Sequence, residues 1–183
     1  MEFTLVYRGP LKANGKPADK QKIRREFHSQ IRELWKQPPL KGWYLGDNPP
    51  SKGPSIIQNL GGFRLAPLVT KKLDLIAELQ ITLLRPELPG GLVTQGGDID
   101  NRLKTLLDAL RMPRNMGEIP LGQTPTEDED PFFCLLEDDS LITKIGVCTD
   151  RLLEKTTSRS EVLLLVHART KVTKLSYNNL GLG

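Results

Sequence analysis

Acidic and basic side chains are concentrated at the start of one amphipathic segment of the sequence. Asp98 and Asp100 are separated by one residue, and Lys104 and Asp108 follow Asp100 at four-residue steps. Because an α-helix has 3.6 residues per turn, Asp100, Lys104 and Asp108 share one stripe of its surface. Carboxylates in such positions either cap the helix or bind a hard divalent cation. A Lys–Asp pair of this kind is often only a surface contact that contributes about 0.3 kcal/mol.

The same segment has the apolar periodicity of a helix that Pro113 stops. Proline lacks the backbone N–H that a continuing helix needs, and it disfavours helical geometry at Met112. The apolar residues recur at three- and four-residue steps, and they are Ile99, Leu103, Leu106, Leu107 and Leu110. The pattern therefore predicts a helix that carries the acids at its opening.

A second acidic cluster, Glu137-Asp138-Asp139, precedes a strand-like run at residues 141–147. Acids at the edge of a strand often serve only solubility or turn formation. Three carboxylates that converge from two elements are better explained by a hard cation, because Mg²⁺ and Mn²⁺ prefer oxygen ligands. The two clusters together predict a divalent-metal site.

The order of these residues resembles the signature of the RusA-like Holliday junction resolvases, over residues 73–166. That signature is Asp-x-Asp-Asn, a Lys four residues after the second Asp, Asp-Ala-Leu, and a later Asp-Asp pair before a strand. The matching residues are Asp98-Ile99-Asp100-Asn101, Lys104, Asp108-Ala109-Leu110 and Asp138-Asp139. The resemblance implies that Asp98, Asp100 and Asp139 bind catalytic Mg²⁺ or Mn²⁺ and that Lys104 assists them.

The function that this resemblance implies is a Mg²⁺-dependent, structure-specific endodeoxyribonuclease that resolves Holliday junctions or related branched DNA in recombination and repair. Asn101 is expected to hold the motif loop or to serve as a turn residue. Asp108 is expected to pair with Lys104, and Asp138 to support Asp139. A homodimer is expected because a four-way junction has approximate two-fold symmetry, and the apolar residues Trp43, Tyr44 and Leu45 are the candidate dimer surface.

Other functions remain open or are disfavoured. A branched nucleic-acid binding protein of the same fold that does not cut is the main alternative, and the acidic insert at residues 113–131 favours it because its carboxylates would repel DNA. Phosphatases place an Asp-x-Asp motif at the tip of an apolar strand, but here a glycine-rich loop separates Leu84 from Asp98. A sugar-nucleotide transferase would need a glycine-rich nucleotide-binding fingerprint, which the sequence lacks.

The densest positive charge lies on a helix predicted at residues 19–36. Its basic residues are expected on the outer face, where they either form a solvated surface or follow a phosphate backbone. They are Lys20, Lys22, Arg24, Arg25 and Arg32. Arg102 and Lys144 are further candidate phosphate contacts.

The predicted order of elements is strand, helix, long loop, strand, helix, strand, strand. This order predicts an α+β fold with a small mixed or antiparallel sheet and helices packed on one face. We expect one domain over residues 1–183, with a long loop or arm at about 37–70 and a loose tail from about 170.

Composition sets wide limits on the function. The formal net charge of +4 and the pI near 9.1 permit nucleic-acid binding without requiring it. Aromatic residues make up 5% of the chain, which disfavours a base-stacking platform. Cys134 and Cys148 lack zinc-ligand spacing, and neither a signal peptide nor a membrane-spanning run is evident, so we expect a cytoplasmic protein.

Overall fold

The fold combines two helices with seven strands in a computed structural model that describes residues 1–41, 55–86, 99–156, 158 and 160–183. Within these residues the helices are α1 (Pro17–Leu34) and α2 (Ile99–Leu110). The strands are β1 (Glu2–Pro10), β2 (Gln58–Leu60), β3 (Phe63–Val69), β4 (Leu75–Arg85), β5 (Phe132–Leu136), β6 (Ile142–Arg151) and β7 (Glu161–Val172).

The larger sheet has four strands in the order β1-β7-β4-β6. β7 is antiparallel to both of its neighbours, whereas β4 and β6 are parallel. Alternate residues of β4 are buried, from Leu75 to Leu83, and they form one side of the core. This alternation follows from the two-residue period of a strand, which sends successive side chains to opposite faces.

A second sheet has three strands in the order β2-β3-β5. β3 and β5 are parallel, and β2 pairs antiparallel with β3. All five residues of β5 are buried, so this strand is covered on both faces. A continuous apolar run is the pattern expected for such a strand.

Helix α1 packs against β5, α2 and β1. Pro17 occupies its first turn, and Asp19 accepts a hydrogen bond from the Lys16 N–H at 3.0 Å, so one free donor at the helix start is satisfied. Ile23, Phe27 and Ile31 form its buried apolar stripe. His28 lies on the same side, where its Nδ1 accepts the Phe133 N–H at 2.8 Å.

Arg24 is also buried, with 2% of its surface exposed, and it closes the C-terminal end of α2. Its guanidinium donates to the carbonyl oxygens of Asp108 at 2.9 Å and Arg111 at 3.2 Å, and to the side chain of Gln21. The carbonyls at the end of a helix lack partners within it and carry partial negative charge. A cation from α1 therefore holds the two helices together.

The α+β class is confirmed, and both predicted helices are present. The expectation of a single small sheet was wrong for the described residues, because β2, β3 and β5 form a second mixed sheet. β2 and β3 both lie in the stretch expected to be an irregular arm. Local pattern alone missed β3 and β5, whose apolar runs lack the alternation of a half-buried strand.

The segment expected to be a loose tail from about residue 170 is anchored at several residues, although Leu175, Tyr177 and Leu180 are exposed. β7 continues to Val172, and Leu182 and Asn179 are fully buried. Asn179 donates from Nδ2 to the Leu73 carbonyl at 2.9 Å, and the Thr170 hydroxyl donates to the Leu182 carbonyl. These contacts fix the segment against the start of β4.

None of the helices in the described residues combines the length and the apolar character needed to cross a membrane. Cys134 is buried, Cys148 is exposed, and both are free thiols.

We expect Arg24→Met to lower the free energy of unfolding by about 1–3 kcal/mol, because it leaves buried carbonyl oxygens without a donor. Urea unfolding followed by circular dichroism measures the change. Lys22→Met is the matched control, since Lys22 lies exposed on the same helix, and it should change stability by no more than about 0.5 kcal/mol. Equal stability of the two variants would show that the buried hydrogen bonds of Arg24 add nothing.

Candidate metal and phosphate-binding site

Asp100 and Lys104 are exposed on the N-terminal half of α2. Asp100 Oδ1 accepts the Asn101 N–H at 2.7 Å, and the Asn101 carbonyl accepts a hydrogen bond from the Thr105 hydroxyl. Neither Asp100 nor Lys104 forms an ion pair with another residue in the part of the chain that the structure describes. Their charges therefore face solvent.

The start of α2 is anchored to the loop between β1 and α1. Thr105 is buried and its hydroxyl accepts the Gly15 N–H at 2.9 Å. Arg102 is buried and donates from Nη1 to the Leu11 carbonyl at 2.8 Å. The interior location of Arg102 runs against the expectation that it contacts phosphate. Lys16, the neighbour of Gly15, is exposed, and the hydrogen bond from Gly15 reaches α2 at Thr105, in the middle of the helix.

Asp108 lies between two cations. Its carboxylate accepts from Lys20 Nζ and from Arg111 Nη2, each at 2.7 Å. The expectation that Asp108 pairs with Lys104 was wrong, because Lys20 reaches it from α1. Burial opposes its ionisation, but the hydrogen bond from Lys20 and the charge of Arg111 outweigh burial, and the pKa of Asp108 lies below its usual value.

Arg111 is the centre of this charge network. Its side chain is 3% exposed, and besides Asp108 it contacts Glu118 at 2.8 Å. Its Nε also lies 3.9 Å from Asp139 Oδ2. Burial alone would favour the neutral form, but hydrogen bonding to Glu118 and the charges of Glu118 and Asp108 raise the pKa of Arg111. Arg111 thus remains charged in a largely buried position.

Asp138 and Asp139 are bridged by Arg114. The Arg114 guanidinium lies 2.8 Å from Asp138 Oδ2 and 2.6 Å from Asp139 Oδ1, and its side chain is 49% exposed. Asp138 Oδ1 also accepts the Ser140 N–H at 3.0 Å. Hydrogen bonds from Ser140, followed by the contribution of Arg114, hold the pKa of Asp138 well below its usual range. Glu137 faces another way and binds Thr70, Lys71 and Gln58.

The candidate residues consequently form two groups. Asp108, Asp138 and Asp139 are brought together at the C-terminal end of α2 by their shared arginine partners. Asp100 lies about 16 Å from Arg111 along the helix axis, given a rise of 1.5 Å per residue. Within the described ranges, no group of three or more His, Cys, Asp or Glu side chains is arranged so that it could hold a metal ion. Asp98 and the candidate dimer surface Trp43, Tyr44 and Leu45 lie outside the described residues.

The outer basic face expected on α1 is largely absent. Arg24 is buried against α2, and Lys20 is paired with Asp108. Arg25 lies 2.7 Å from Glu129 and Arg32 lies 3.0 Å from Asp128. The basic side chains of α1 therefore do not form the exposed outer face that was expected, and of the five candidates on this helix Lys22 alone is exposed.

The acidic insert is the partner of this helix face. Glu129 is buried against Arg25, Asp128 reaches Arg32, and Asp130 contacts Arg64 at 3.0 Å. Three of the acids that were expected to repel DNA are thus paired with arginines within the chain. Lys144, a further candidate phosphate contact, is exposed on β6.

Sequence reasoning missed Arg111, Arg114 and Glu118, which hold the second acidic group in place. Two arginines three residues apart follow the predicted helix, where cations are favoured by the helix dipole. That pattern was the available indication. Its carboxylate partners at positions 138 and 139 are too distant in sequence to be paired with it by spacing alone.

Comparison with known proteins gave no relatives: neither a family model nor a curated protein matches this chain.

We expect Asp108→Asn to destabilise the protein by about 2 kcal/mol at pH 7, because it leaves Lys20 and Arg111 short of a carboxylate in a half-buried place. Since folding lowers the pKa of Asp108, its contribution is complete above the usual value and is lost as the pH falls through the folded value. The difference between the two proteins should therefore stay constant from pH 7 down to about pH 4 and shrink at lower pH in urea unfolding.

Asp128→Asn is the matched control, because the Asp128 side chain pairs with Arg32 but is 86% exposed. It should change stability by less than about 1 kcal/mol. A loss of stability as large as that of Asp108→Asn would show that burial of a carboxylate does not decide how much its ion pair contributes.

Proposed function

We propose that this protein is a Mg²⁺-dependent endodeoxyribonuclease that acts on branched DNA, with Holliday junctions as the first candidate substrate. The observation that carries the proposal is the charge arrangement at the start of α2. Asp100 and Lys104 are exposed there without an ion-pair partner among the described residues. A free carboxylate one helical turn from a free cation suits a metal ion and a phosphate bound side by side.

The other described acids of the signature differ from Asp100, because they have cation partners within the protein. Asp108, Asp138 and Asp139 each contact an arginine, so their charges are used within the protein. Asp100 and Lys104 also conform to the Asp-x-Asp-Asn and Lys spacing of the RusA-like signature. An exposed pair of opposite charge at a helix N-terminus is common, but the spacing and the lack of internal partners together favour a role outside the fold.

The donor chemistry at Asp138 and Asp139 also fits a hard cation. Both side chains offer oxygen ligands, Asp138 stays ionised because its pKa is lowered, and Arg114 already places positive charge between them. The half-exposed Arg114 can move aside for another cation. Mg²⁺, when bound, would supply a water of lowered pKa and offset charge on the leaving oxygen. Lys104 would then stabilise negative charge on the phosphate.

A second candidate function is the binding of branched nucleic acid without cleavage. Its supporting observation is that Asp100 and Asp139, which the resemblance assigns to one metal, lie towards opposite ends of α2. Asp139 is in addition held by Arg114 at 2.6 Å. If Asp100 and Asp139 never bind one metal ion together, the protein would bind DNA through Lys16, Lys22 and Lys104 and leave its phosphodiester bonds intact.

Titration of Mg²⁺ into protein mixed with a four-way junction separates the two functions. A nuclease produces nicked arms whose amount rises with Mg²⁺ and falls with a chelator. A binding protein retards the junction in a gel without nicks at any Mg²⁺ concentration. Failure both to retard and to cut the junction would contradict both proposals.

We expect Asp100→Asn and Asp139→Asn to abolish cleavage while folding and junction binding are retained. Replacing a carboxylate by an amide removes ligand charge with little change in shape, so metal is lost before structure. Asp128→Asn, an exposed acid on the insert, is the control and should cut normally. Cleavage at the wild-type rate by Asp139→Asn would show that Asp139 is not a ligand.

Lys104→Ala should reduce the cleavage rate by about 100-fold or more, because a cation that stabilises developing phosphate charge contributes several kcal/mol to the transition state. Its effect on stability should be less than about 1 kcal/mol, since Lys104 is exposed. Lys36→Ala removes an exposed lysine two residues beyond the end of α1 and serves as the control. Equal rates for Lys104→Ala and the wild type across Mg²⁺ concentrations would assign Lys104 to the surface alone.

A further inference from the structure

Strand β6 forms an edge of the four-stranded sheet. It is ten residues long and contains no proline, and it pairs in parallel with β4 on one side. On its other side it has no strand partner within the described residues. The outward backbone N–H and C=O groups of such an edge are a template for pairing with another strand.

The inner face of β6 continues the core without being covered. In the register with β4, Ile145 lies beside Leu79 and Val147 beside Ile81. Leu79 and Ile81 are buried, whereas Ile145 is 44% and Val147 is 38% exposed. Two β-branched residues thus extend a row of the core beyond the last strand, where a further strand would bury them.

The opposite face of β6 carries two charges of opposite sign, one before and one after the apolar pair along the strand. They are Lys144 and Asp150, which share that face because they are six residues apart and a strand has a period of two residues. They are about 20 Å apart along β6, too far to pair with each other, and neither forms an ion pair with another described residue. Lys144 and Asp150 lie at equal distances in sequence from Val147.

We propose that two copies of this chain associate by antiparallel pairing of their β6 edges around a two-fold axis at Val147. In this register Lys144 of each copy lies opposite Asp150 of the other, and Val147 lies opposite itself. The four-stranded sheets join into one sheet of eight strands, and Ile145 and Val147 of both copies are buried together. Two-fold symmetry closes the assembly, so no free β6 edge remains. The inference does not depend on whether the protein cuts DNA.

Charge exchange tests the register with two variants. Lys144→Asp places like charges opposite each other at both ends of the interface, and Asp150→Lys does the same with the opposite sign. We expect each variant alone to have a dimer dissociation constant at least about tenfold above that of the wild type. An equimolar mixture of the two variants should dimerise as the wild type does, because each variant then meets the complementary charge on its partner.

Multi-angle light scattering and sedimentation velocity at concentrations up to about 100 µM measure the three samples, and circular dichroism verifies folding. A monomeric wild type at the highest concentration overturns the proposal. Either single variant dimerising as well as the wild type, or a mixture of folded variants that stays monomeric, overturns it too.

Disulfide trapping gives a second test that does not need the charge variants to fold. Residues opposite each other in an antiparallel pair have Cα atoms about 4.5–5.5 Å apart, within the range that a disulfide spans. Val147→Cys in a Cys148→Ser background should form a covalent dimer with oxidised glutathione as the oxidant. Leu153→Cys in the same background, exposed but beyond the strand, is the control and should stay mainly monomeric. Equal cross-linking of both variants, or none of Val147→Cys, counts against the proposed axis.

Discussion

The burial of two arginines at the C-terminal end of α2 is the constraint on which much of this structure depends. Arg24 and Arg111 are 2% and 3% exposed, and a charged group is stable in such a place only if hydrogen bonds and opposite charges replace its water. Arg24 uses carbonyl oxygens of the helix end, and Arg111 uses Asp108 and Glu118. The hydrogen bonds and ion pairs of these two arginines fix α1 against α2 and hold the segment that follows α2. The positions of Asp138 and Asp139 depend on that segment, because Arg114 within it contacts both.

The same logic explains why a mildly basic chain presents little continuous positive surface. The cations of α1 and the carboxylates of the acidic insert neutralise each other, as in the contact of Arg25 with the buried Glu129. An exposed ion pair contributes little to stability, but a buried carboxylate needs its partner. Charges that would attract or repel nucleic acid are therefore paired with each other within the fold. Among the described residues, the exposed cation at the start of α2 that matters most for a phosphate ligand is Lys104.

This division of charge gives the two ends of α2 different roles. At its C-terminal end the acids are bound to arginines and contribute to the fold, whereas at its N-terminal end Asp100 is exposed and pairs with no cation among the described residues. A metal ion that used both Asp100 and Asp139 would have to compete with Arg114, whose half-exposed side chain spans Asp138 and Asp139. Competition of this kind links metal binding to the release of an arginine. If two copies join through β6, each assembly contains two such sites related by two-fold symmetry, which suits a substrate with two equivalent strands.

The sequence by itself determined the elements whose residues repeat with a clear period: the apolar stripe of α1, the alternation along β4, and α2 with Asp100 at its opening. It also determined which acids and lysine carry the resemblance, because a motif is a matter of order and spacing. Only the tertiary structure decided that β3 and β5 form a second sheet, since parallel pairing joins residues more than sixty positions apart, as Leu65 with Phe132, and leaves no local periodicity. It also decided the partners of each charge. Lys104 lies at a four-residue step from Asp108, yet Lys20 and Arg111 hold Asp108. Arg111 is a local partner at a three-residue step, whereas Lys20 reaches Asp108 only because α1 packs on α2.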